Sequence, residues 1–60
     1  MTLPTFDEMR RNAHRLLGDA QDELRSDWTG PGPSDEQAEA MAEAVRFIAQ
    51  AKAALDRAAR

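Results

Sequence analysis

Apolar residues recur in the first half of the chain at Phe6, Met9, Ala13, Leu16 and Ala20, three or four positions apart. That spacing lines up side chains on one face of an α-helix. Leu17, Leu24 and Trp28 widen the stripe. In the second half the same rhythm runs through Met41, Ala44, Val45, Ile48, Ala51, Leu55, Ala58 and Ala59. Two amphipathic helices are therefore predicted, over 6–28 and 35–59, each with one apolar face and the rest polar.

The boundaries have their own signals. Thr5-Phe6-Asp7-Glu8 reads as a capping box, and Ser34-Asp35-Glu36-Gln37 as a second one. Acidic residues at both starts suit the positive end of the helix dipole. Between the helices, Thr29-Gly30-Pro31-Gly32-Pro33 cannot stay helical, because proline lacks the amide donor and glycine favours left-handed backbone. This places a turn at 29–33. Two helices of similar length joined so briefly pack as antiparallel neighbours. The expected fold is all-α, one antiparallel two-helix hairpin forming a single domain over residues 1–60.

Size changes what that hairpin can do alone. Sixty residues bury little surface, and small scaffolds draw support from disulfides, metals or partner subunits. There is no cysteine, and His14 is the one histidine, so thiolate and zinc supports drop out. Self-association remains: a second hairpin covering the wet part of each stripe would complete a helical bundle. The residues expected at such interfaces are Phe6, Met9, Leu16, Leu17, Leu24 and Trp28 on the first helix, with Met41, Val45, Ile48 and Leu55 on the second. Trp28 is read first as a lid on Met41 or nearby alanines, and otherwise as an exposed anchor at a protein interface.

No run approaches the roughly 18 apolar residues of a membrane span, and the start of the chain carries no leader pattern. A cysteine-free chain of this kind is expected in the cytoplasm. The net charge of -3 does not suit a binder of duplex nucleic acid. No arrangement for catalysis stands out: Ser34 serves as a cap, and Glu-x-x-His, the di-iron bundle pattern, is missing because Arg11 stands three residues before His14. No enzyme activity, cofactor or metal is expected.

Charge is sorted along the hairpin. Folding it back puts Arg10, Arg11, Arg15, Arg46, Lys52, Arg57 and Arg60 in the half away from the turn, with Arg25 alone on the turn side. Asp19, Asp22, Glu23, Asp27, Asp35, Glu36, Glu39 and Glu43 fill the turn half. The cluster Arg10-Arg11-His14-Arg15 has two readings. It can pair with Asp7 and Glu8 one turn away, or it can bind an anion, since arginine forks match phosphate and carboxylate. On the second reading the ligand-binding residues are Arg11 and Arg15, with Arg57 and Arg60 from the other helix.

The stretch Asn12-Ala13-His14-Arg15-Leu16-Leu17-Gly18-Asp19, followed by Leu24, resembles the first hairpin helix of the phage anti-CBASS cyclic-nucleotide sponges. Gln50 and Ala54-Leu55-Asp56-Arg57-Ala58 resemble their second helix, so the likeness covers about half the chain. The chain departs from the family at Ala51-Lys52-Ala53, where glycine followed by bulkier residues is usual. The resemblance implies an oligomer that sequesters cyclic oligonucleotides, with Arg15 contacting ligand phosphate. The competing reading is a protein–protein module or inhibitor that docks its apolar face on a host protein.

Overall fold

A computed structural model describes residues 2–59. It contains two helices packed against each other, α1 over Phe6–Leu24 and α2 over Asp35–Arg57. Each begins where its cap stands. The Thr5 hydroxyl accepts from the Glu8 amide at 3.1 Å. At α2 the box is complete: the Ser34 hydroxyl accepts from the Gln37 amide at 3.1 Å, and the Gln37 side chain accepts from the Ser34 amide at 2.9 Å.

α1 ends four residues before the expected position. Its last turn tightens, with the Arg25 amide donating to the Asp22 carbonyl and the Ser26 amide to that of Glu23. The Ser26 hydroxyl also donates to the Asp22 carbonyl at 3.0 Å. No basic residue lies in that last turn, so Asp22 and Glu23 meet the negative end of the dipole uncompensated. Serine and aspartate at 26 and 27 then favour local backbone bonds over continued helix. Residues 25–34 form the connection, and Gly30 takes the left-handed backbone at φ 83° within it, away from the helix end.

Each helix reads as heptads (positions a to g). In α1 the half-buried residues are Arg10, Ala13, His14, Leu17, Gly18, Gln21 and Leu24, which are positions a, d and e with Gly18 beside them. In α2 they are Met41, Ala44, Val45, Ile48, Ala51, Lys52 and Leu55, again a, d and e. Leu17, Leu24, Met41, Val45, Ile48 and Leu55 thus sit in the seam between the two helices. Phe6, Met9, Leu16 and Ala20 do not: all four are exposed, because α1 is turned so that Arg10, His14 and Gln21 face α2 instead. Among the described residues none is fully buried.

The two helices are also staggered. His14 meets Asp56 at 3.2 Å, and Lys52 donates to Gln21 at 3.3 Å. Those pairs set the end of α2 level with the third turn of α1, so the first turns of α1 project past it. At the other end α2 runs beyond Leu24. The rod measures 44 Å, longer than the roughly 35 Å that α2 alone spans. The stagger moves Arg46 from the open half to the turn half, level with Arg25. Asp22, Glu23, Asp27, Asp35, Glu36, Glu39 and Glu43 surround that pair, so the tip is acidic while the open end stays basic.

Candidate interaction surface

Heptad phase explains which residues are left outside. Helices of a bundle bury positions a and d together with either e or g. Here the e positions are Asp7, His14 and Gln21 on α1 and Ala38, Val45 and Lys52 on α2. The g positions are Met9, Leu16 and Glu23 on α1 and Ala40, Phe47 and Ala54 on α2. In an antiparallel pair, g of one helix flanks g of the other and e flanks e. The hairpin therefore has a polar side and an apolar side.

Contacts across the seam agree with this division. His14 to Asp56, Lys52 to Gln21, and the Lys52 ammonium 4.0 Å from where a Cβ on Gly18 would stand all belong to the polar side. The apolar side carries Phe6, Met9, Leu16 and Phe47, exposed to 65, 54, 58 and 57%. Alanines at d and g fill the ground between them: Ala13 and Ala20 on α1, Ala44, Ala51 and Ala54 on α2. Phe47 falls outside the a, d and e positions that make up the α2 stripe, so the three-four spacing does not mark it. Its g position, matching Leu16 on α1, is the signal that finds it.

The basic end is built from short-range pairs. Asp7 holds two arginines, Arg10 at 2.8 Å and Arg11 at 2.9 Å. The Arg10 hydrogen bond holds the Asp7 carboxyl below the usual carboxylate value, and the charges of Arg11 and Arg10 add to that pull against some desolvation. Arg15 approaches Asp19 at 4.0 Å, rather than Asp7 or Glu8. Arg11 and Arg15 keep about two thirds of their side-chain surface exposed, at 66 and 65%. Arg57 is level with them along the rod, but its heptad position faces away from α1. Arg60 lies outside the described residues.

Trp28 is exposed at the tip and does not form a lid. Its ring lies beside Gly32: a Cβ there would stand 3.1 Å from Cζ2. The early end of α1 explains the change, since Trp28 leaves the helix and turns with the connection. Among the described residues no cavity forms, and no cluster of acidic or histidine side chains that could hold a metal. Among the described residues no helix is long and apolar enough to cross a membrane. No family model matches the chain, and comparison with characterised proteins and with solved structures likewise finds no match.

Proposed function

We propose that this chain is a non-catalytic interaction module, which works by holding another molecule on its surface. The observation that carries this reading is the apolar side of the hairpin. Phe6, Met9, Leu16 and Phe47 stand more than half exposed there, on the same side of two helices, while the other side is polar. Contiguous exposed apolar surface of this kind marks association sites. An apolar reporter dye titrated into dilute protein tests it. The dye should bind the native chain and lose most of its response when Leu16→Glu and Phe47→Glu are combined. An equal response from both proteins, at a dilution where sedimentation shows both to be monomers, would sink the reading.

A second reading has its own support. Arg11 and Arg15 lie one helical turn apart with exposed guanidinium groups, and Arg15 holds its carboxylate only at 4.0 Å. Two such forks can grip one phosphate. The likeness to the cyclic-nucleotide sponges points to a cyclic oligonucleotide, and a phage anti-defence role with it. Calorimetry with cyclic di- and trinucleotides tests this. Arg15→Lys should weaken binding although the charge is kept. No heat with any of these nucleotides would end the sponge reading and leave the interaction module.

A further inference from the structure

We infer that the occupant of the apolar side is a second copy of this chain, packed face to face and antiparallel, the open end of each hairpin over the tip of the other. The inference rests on the interaction-module reading and supplies its partner.

Area gives the first argument. The hairpin exposes 5156 Å², against about 3,900 Å² for a compact folded chain of 6.7 kDa. The surplus, roughly 1,200 Å², exceeds the approximately 800 Å² that each partner contributes to a standard stable interface. One further hairpin is enough to use it. A symmetric pair also needs only one kind of surface, since a two-fold interface is the same patch on both sides.

Charge gives the second argument and sets the orientation. The open end carries Arg10, Arg11, Arg15 and Arg57, and the tip carries the carboxylates on either side of the connection. Tips brought together would crowd like charges. Turned end for end, each basic end covers an acidic tip.

Shape supports the same arrangement. Position along the rod places Ala20 near its middle, close to the two-fold axis, where α1 meets its own copy. Phe47 then lies against the second copy's Ala51 and Ala54, a large side chain over small ones. The projecting first turns of α1, with Phe6 and Met9, come over the partner's tip. The stagger that leaves those turns uncovered in one hairpin is filled by the other.

Sedimentation equilibrium on the full chain tests the inference. At micromolar concentration the wild type should have twice the 6.7 kDa mass of one chain. Combining Leu16→Glu with Phe47→Glu should give the monomer mass. A polar-side control that leaves the charges alone, Ala49→Gln, should stay dimeric. Because charges on the face can also cost helix, orientation is read separately on folded protein with single cysteines. Ala20→Cys should oxidise readily to a disulfide-linked dimer. Thr29→Cys at the tip should not, and efficient linkage through Cys at 29 with none at 20 would overturn the antiparallel pair. A helical wild-type monomer at high micromolar concentration that still binds the apolar dye would overturn the second copy as occupant and leave the interaction module standing. A monomer without dye response would end both.

Discussion

Removing the Ser34 hydroxyl is the cleanest single test of how this hairpin is held together. Ser34 accepts from the Gln37 amide at 3.1 Å, and its own amide donates to the Gln37 side chain at 2.9 Å. Ser34→Ala deletes the first bond and leaves nothing to hold Gln37 in the geometry of the second. Substitutions of this kind at a helix N-cap cost about 1 kcal/mol. No described residue is fully buried, so no core takes up the loss. In a domain of this size a loss of 1 kcal/mol lowers the melting midpoint by roughly 4–8 °C. The assay is helical circular dichroism on heating, with wild type and variant at the same concentration, since association also moves the midpoint. Ser34→Asp keeps an acceptor at the cap and adds a charge that suits the dipole, so it should melt close to wild type. A midpoint for Ser34→Ala within a degree of wild type would refute the reasoning. So would a Ser34→Asp variant as unstable as the alanine.

Gly30→Ala should destabilise by about 1 kcal/mol through backbone strain alone, since its φ is 83° and no atom within 4 Å would meet the new Cβ; the same melting assay reads it. Gly32→Ala acts on contact instead: the new Cβ at 3.1 Å must push the Trp28 ring aside, so the fluorescence of this single tryptophan should change. Ile48→Asp puts an uncompensated charge in the seam and should cost roughly 3 kcal/mol, abolishing helicity and association together in one sedimentation and dichroism experiment. Asp7 has a lower pKa in the folded chain than its ordinary 3.8, so its contribution is present in full above that value and is lost as pH falls through the lower one. The midpoint difference between wild type and Asp7→Asn should therefore be constant at neutral pH and shrink in strong acid.

The helical hairpin was legible because its signals are local. Capping residues Thr5 and Ser34 and the Gly-Pro run each act within a few positions and stand where expected, while the three-four spacing marks both helices but not the face that α1 buries. The end of α1 was less legible. It depends on a balance between Trp28 as a stripe residue and the acidic Asp22-Glu23 end with Ser26 and Asp27, and the local backbone bonds win. The phase of α1 was harder still. Two overlapping stripes run along it, one through Met9 and Leu16, the other through Leu17 and Leu24. A single sequence does not say which faces its own partner helix. The choice is made across the seam, where His14 and Gln21 find Asp56 and Lys52 on α2. The same tertiary term hid Phe47, and it shifted the register enough to carry Arg46 to the acidic end.

The absence of any fully buried residue among those described has a consequence for the life of the chain in a cell. Proteases cut segments that open, and resistance follows the free energy of opening. A hairpin without an interior has little of its own to offer against opening, and whatever covers Phe6, Met9, Leu16 and Phe47 adds the remainder by mass action. With a second copy as that cover, the chain would protect itself better as its own concentration rises. A pulse-chase half-life that lengthens with expression level would be the signature of that self-protection.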